Sequence, residues 1–111
     1  MYTFESRVRF SEADHTELLT LPGLVNYFQD CSTFQSEDIG YGVESLKKSG
    51  QAWILSAWQI VVNRYPKLGE YIRVSTWATD FTGLFGLRNF KMEDEAGEMT
   101  AWANSVWYIW I

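Results

Sequence analysis

Apolar and polar residues alternate over Thr3–Phe10, TFESRVRF: Phe4, Ser6, Val8 and Phe10 share one face, Thr3, Glu5, Arg7 and Arg9 the other. A period of two with one mostly apolar face predicts a half-buried strand over 3–10. After the polar stretch SEADHTE the period changes. Leu21, Leu24, Val25, Phe28, Cys31 and Gln35 recur at helical spacing and predict a long helix with one apolar stripe. Thr20 can cap it, Pro22 falls in the first turn where a missing N–H costs nothing, and Gly40 is a natural stop. VESLKKSG, Val43–Gly50, reads as a helical turn or a loop.

Four more strands follow. AWILSAWQIVVNRYP ends at Pro66, YIRVSTWATDF follows the turn KLGE, LFGLRNFKME comes third, and TAWANSVWYIWI follows the turn DEAGE. A strand, a long helix and four strands in hairpin succession predict an α+β domain, one helix buried against a mostly antiparallel sheet. There are no internal repeats and no low-complexity segments.

Composition narrows the function classes. A 111-residue chain that is 47% apolar and 17% aromatic supports one packed domain. Its six Trp exceed what a small core needs, so some should line a pocket or a subunit interface. A net charge of -5 without a Lys/Arg cluster argues against a nucleic-acid partner. The one cysteine, Cys31, leaves no internal disulfide and suits a reducing cytosol. No apolar run approaches the roughly 20 residues of a membrane span, and the N-terminus lacks a signal peptide's apolar core. The expectation is a soluble cytoplasmic protein. No Cys/His metal spacing, glycine-rich phosphate loop or Gly-x-Ser-x-Gly occurs, which disfavours a metalloenzyme, a nucleotide binder or a serine hydrolase.

Three pieces of the chain resemble the acyl-ACP thioesterase family of the hotdog superfamily: LVNYFQDCSTFQSEDIG, WILSAWQIVVNRYPKLGEYIRVSTW and the strand after DEAGE. The most specific is VNRYPKLGEYIRVSTW, with its Arg-Tyr-Pro, its turn Gly and its strand-ending Trp. The resemblance runs from Arg9 to the end and implies a hotdog fold, a curved sheet wrapped around a central helix. It covers only the first of the family's two hotdog repeats, so the expectation is a single hotdog domain over 1–111. The absent second repeat carries the Asn, His and acidic or Cys residues credited with hydrolysis, and the apolar ending SVWYIWI suggests a fragment or a shortened relative. The resemblance implies hydrolysis of a fatty acyl-ACP, or acyl-CoA, to free acid and thiol, without metal or organic cofactor. A lone hotdog leaves a sheet edge open, so a homodimer or higher homo-oligomer is expected. The alternative is a non-catalytic acyl-binding or dimerising half whose catalytic partner lies in a missing second hotdog or another chain.

The loop between the first strand and the helix also resembles the single-hotdog 4-hydroxybenzoyl-CoA thioesterase type, through the spacing of Phe10, Asp14 and Pro22. That resemblance makes Asp14 the nucleophile or base, with backbone N–H groups near Leu21 and Gly23 stabilising the oxyanion. Against this stands a plain loop carboxylate or Asx-turn residue. His15, adjacent to Asp14, points elsewhere in an extended loop, and Glu12 and Glu17 are expected to be solvated. Gln29 and Asp30, near the middle of the helix, are the next catalytic candidates, although spacing puts Asp30 away from the apolar stripe. Phe28, Trp53, Leu55 and Trp58 are the candidate acyl-contacting residues, since such pockets are mainly apolar.

Overall fold

The computed structural model describes the backbone of residues 1–38, 52–82 and 85–110 and the side chains of residues 1–35, 57–79 and 86–108. Five antiparallel strands, β1 (Tyr2–Arg7), β2 (Ala52–Val62), β3 (Tyr71–Thr82), β4 (Phe85–Asp94) and β5 (Met99–Trp110), form one sheet in the order β1-β3-β4-β5-β2. One long helix, α1 (Leu21–Asp38), packs against it. This is the α+β hotdog arrangement expected from the sequence. Gly40, the expected helix stop, and Val43–Gly50 lie outside the described residues.

Alternation along the strands decides which face meets the helix. Val74, Phe90, Met92, Ala101 and Ala103 are at most 1% exposed and meet Leu24, Tyr27, Phe28 and Cys31 of α1. Burying each large side chain contributes roughly 1.5–3 kcal/mol. Phe28 stacks on Trp58 and Phe90, with centroids 6.2 and 5.1 Å away. Helical spacing led to this stripe but missed Tyr27, which is fully buried, and overrated Leu21, which is 46% exposed. A tyrosine can enter a core only when its hydroxyl is satisfied. Here it donates to Arg7 O and accepts from Arg9 N–H, both at 2.9 Å, tying the end of β1 to the helix.

Three expectations change. The first strand ends at Arg7, because Val8 leaves the ladder to exchange backbone hydrogen bonds with Gly69 and Glu70. Phe10 then starts a short 3-10 turn, Phe10–Glu12, and is 85% exposed instead of facing the core. Second, only β3, β4 and β5 follow in hairpin succession. β2 pairs with β5 alone at the far edge, so Asn63–Glu70 is a crossover and not a hairpin turn. Third, the period of two is broken inside β2. Leu55 lies opposite Trp107 but Ala57 opposite Val106, a bulge at Ser56 that brings positions 53 and 55 onto the face of Trp58 and Ile60. Strict alternation would have separated them.

The crossover explains the tract VNRYPKLGE. Arg64 donates to both carboxylate oxygens of Glu70 and, at 3.0 Å, to Asp94, so it clasps the crossover to the β4–β5 turn. Pro66 is buried and its carbonyl accepts the Leu19 N–H at 2.8 Å. Leu68 N–H donates to Glu17 O at 2.8 Å, and Gly69 supplies the positive φ, +80°, that the turn requires. The crossover therefore holds the strand-to-helix loop from below.

Candidate functional site

Two regions hold the candidate residues: the loop before α1, and the helix-facing side of the sheet. The loop folds as a small hairpin, with Ala13 bridged to Leu19 and Leu18 to Lys67. Asp14 sits at its tip and is exposed. Its Oδ1 accepts from the hydroxyl of Thr16 and, at 2.8 Å, from the Thr16 N–H. The Thr16 hydroxyl first, then its N–H, hold the Asp14 carboxyl below the usual carboxylate range. The geometry is an Asx turn: a carboxylate kept ionised, with one oxygen occupied by its own loop.

The residue abutting the helix start is Glu12. Its carbonyl accepts from the Thr20 N–H at 3.0 Å and the Thr20 hydroxyl at 3.3 Å. Its carboxylate accepts from Asn26 at 3.1 Å and lies 3.6 Å from Arg9. The expected solvation of Glu12 is thus corrected: its side chain is only 14% exposed. The sign available in the sequence was the i, i+3 spacing of Arg9 and Glu12. Gly23 is what lets this turn sit on the helix, since an added Cβ would lie 2.7 Å from Glu12 O. The Gly23 N–H is taken by Thr20 Oγ1 at 3.1 Å, the N-cap bond, so of the two oxyanion candidates only the Leu21 amide, at the first helical position, lacks an acceptor by position.

On the helix, Gln29 is exposed. Asp30 pairs with Arg9 at 3.5 Å, and the Arg9 guanidinium also lies over the Tyr27 ring at 4.5 Å. The structure therefore joins Glu12, Asn26, Asp30 and Arg9 in one network, apart from Asp14. Cys31 lies beneath the helix, where burial pushes its thiol up to about 12, and its Sγ contacts Val74 O at 3.5 Å. A thiol so protonated is a packing group, not a nucleophile.

On the sheet, Trp58 completes the aromatic stack Phe28–Trp58–Phe90. The side chains of Trp53 and Leu55 lie outside the described residues, but the bulge at Ser56 puts their positions on this same face. One cross-strand row holds Trp58, Ser105 and Arg88. Arg88 donates to Gln35 of the helix and, at 3.2 Å, to Thr76 Oγ1, and burial lowers its pKa. Ser105 Oγ donates to Arg88 O at 2.9 Å and accepts from Trp107 Nε1 at 2.7 Å. The Trp58 Nε1 is buried without an acceptor, a condition that costs about 1–3 kcal/mol.

A cleft of about 430 Å³ is lined by Ala57, Gln59, Thr79, Leu87, Asn89, Asn104 and Val106 and is also bordered by Trp58 and Ser105. Gln59, Asn104 and Asn89 are cross-strand neighbours and form a carboxamide row within this cleft. Among the described residues no group of three or more His, Cys, Asp or Glu could hold a metal ion, and no helix is long and apolar enough to cross a membrane. Among the described residues the hydroxyl–carboxylate contacts Thr16–Asp14 and Ser11–Glu12 lie in the exposed loop, and the described interior holds no such pair.

Comparison with known proteins sets this geometry in context. A chloroplastic acyl-[acyl-carrier-protein] hydrolase of Cuphea viscosissima is 31% identical over 108 residues, covering 90% of this chain and 26% of the relative. The crystal structure of a putative oleoyl thioesterase from Lactobacillus plantarum superposes with a TM-score of 0.93 at 25% identity, covering 97% of this chain and 42% of that one. An acyl-ACP thioesterase from Bacteroides thetaiotaomicron gives 0.88 at 30% identity, over 96% and 44%. The chain thus spans about a quarter of the length of the curated relatives it matches and under half of these two structures. Residues 1–110 match the N-terminal domain of the acyl-ACP thioesterases, and the chain belongs to that family.

Proposed function

We propose that this domain holds the acyl chain of a fatty acyl-ACP while the thioester is hydrolysed to free acid and thiol, and that the attacking groups come from outside it. The observation carrying this reading is the pairing of the family match over 1–110 with an interior that offers aromatic surface but no nucleophile–base pair. The acyl chain lies on the helix-facing side of the sheet, against Phe28 and Trp58 and the positions of Trp53 and Leu55. An acyl carrier protein is the preferred carrier and CoA the alternative. The domain works in a reducing compartment, the cytoplasm in our reading, and pairs through its β2 edge with a second copy or a second hotdog.

A second reading makes the homodimer self-sufficient, with Asp14 as nucleophile or base and the Leu21 amide as oxyanion donor. It is favoured by the ionised state of Asp14 and its place in the loop before α1. Hydrolysis assays with acyl-ACP and acyl-CoA of several lengths, on the protein and on Asp14→Asn, separate the two. Ligand binding without turnover in either supports the first reading. Turnover that collapses in Asp14→Asn replaces it with the second, and turnover that survives the substitution removes Asp14 and turns the search to Asp30 and Gln29.

A further inference from the structure

Trp58 is unusual in how its ring is held and what its nitrogen lacks. The ring packs against both Phe28 and Phe90, with centroids at 6.2 and 5.1 Å, while those two rings stack on each other at 5.1 Å. Its Nε1–H is buried and finds no acceptor among the described residues. Trp107, the described tryptophan nearest along that face, shows the alternative, because its Nε1–H meets Ser105 Oγ at 2.7 Å. Ser105 lies directly opposite Trp58, but its hydroxyl bonds Arg88 O and Trp107 and does not meet the Trp58 N–H. A resident water would need two or more polar partners. The ring's described stacking neighbours are aromatic. A buried donor without a partner in an otherwise satisfied row is what a site for a ligand oxygen looks like before the ligand arrives.

We infer that the Trp58 indole N–H, its ring packed against Phe28 and Phe90 on the helix-facing side of β2, is the hydrogen-bond donor for an oxygen carried along the hydrocarbon part of the acyl ligand. The substrate class is then hydroxy- or oxo-substituted acyl groups in preference to plain chains. The inference rests on the acyl-binding reading above and deepens it. The specificity is asymmetric: a site built to bond an oxygen rejects the chain lacking it more strongly than an apolar wall rejects an added hydroxyl. Arg88, two strands along the same row and held by the neutral groups of Gln35 and Thr76, makes this side of the sheet more polar than a pocket for unsubstituted chains requires.

The test is calorimetric binding of a saturated fatty acid and its positional hydroxy and oxo isomers to the protein and to Trp58→Phe, which keeps an aromatic ring but removes the donor. One isomer should bind about tenfold more tightly than the plain acid, and the preference should vanish in Trp58→Phe. In the same titration the Trp58 indole proton resonance, assigned by its absence from the variant, should move downfield with that isomer and not with the plain acid. Plain acid bound with no isomer preferred, or a preference that survives Trp58→Phe, overturns the inference and leaves the acyl-binding reading standing. No binding of any chain overturns both.

Discussion

The two edges of the sheet are built on opposite principles. β1 is six residues long, carries Glu5 and Arg7, and is fastened by charge: Arg73 pairs with Glu5 at 3.3 Å and the Arg7 guanidinium lies over Tyr71 at 5.2 Å. β2 is eleven residues, AWILSAWQIVV, without a charge or a proline. Its described residues 57–62 are at best half-buried, whereas Ala101, Ala103 and Ser105 on neighbouring β5 are buried. Short, charged edges resist pairing with other chains, and long apolar ones invite it. One edge has the features of a boundary and the other those of a seam. The helix ties both down by different chemistry, β1 through the Tyr27 hydroxyl and β2 through the stack of Phe28 on Trp58.

The comparison can be broken hardest at the β2 anchor. Phe28→Ala removes the ring that stacks on both Trp58 and Phe90 and should cost about 3–5 kcal/mol in denaturant unfolding. The β1 anchor is smaller. Tyr27→Phe keeps the ring but leaves the Arg9 N–H and the Arg7 carbonyl without their partner, for about 1–3 kcal/mol by the same measurement. If Tyr27→Phe proves as damaging as Phe28→Ala, the two anchors are not different in kind.

The seam itself is sharpened by placing lysines on it. Gln59→Lys with Val61→Lys brings like charges together when two copies of β2 pair antiparallel, so sedimentation should show self-association weakened at least about tenfold. Glu5→Lys on β1 should leave it unchanged. Equal loss from both edges would refute the distinction.

The smallest effect concerns the clasp that holds the crossover away from both edges. Glu70 is held below its usual range first by its bond to Arg64, and Asp94 by the Glu98 N–H and then by Arg64. Carboxylates with depressed native pKa values contribute stability above their unfolded values and lose it as the pH falls through the native ones. The melting temperature should therefore drop below about pH 4. In Arg64→Met the drop should be shallower, with the remainder kept by the Asp94–Glu98 contact.

Much of this was legible in the residues because it is local. The helix and four of the five strands are set by periodicity, and the Thr20 cap and the Gly69 and Gly97 turns by local backbone chemistry. The candidate site was legible in a different way. Phe28, Trp58 and the positions of Trp53 and Leu55 were chosen for their apolar character, yet only the one-residue bulge at Ser56 places them on one face. Asp14 is a candidate only through the resemblance carried by Phe10, Asp14 and Pro22, and Thr16 already occupies one of its carboxylate oxygens. Glu12 was passed over because nothing in a single sequence shows that Gly23 lets its turn press onto the helix.

What the sequence determined by itself, then, is the set of elements, the apolar stripe of the helix and the turns, since hydrophobic period, caps and glycine conformations act within a few residues. Only the tertiary structure decided that β2 leaves its sequence neighbour for the far edge, that Tyr27 enters the core, and that the half-buried Trp58 keeps a buried Nε1–H unmet among the described residues. Each of these depends on where groups tens of residues apart come to satisfy, or fail to satisfy, a buried hydrogen bond, and no local pattern records that.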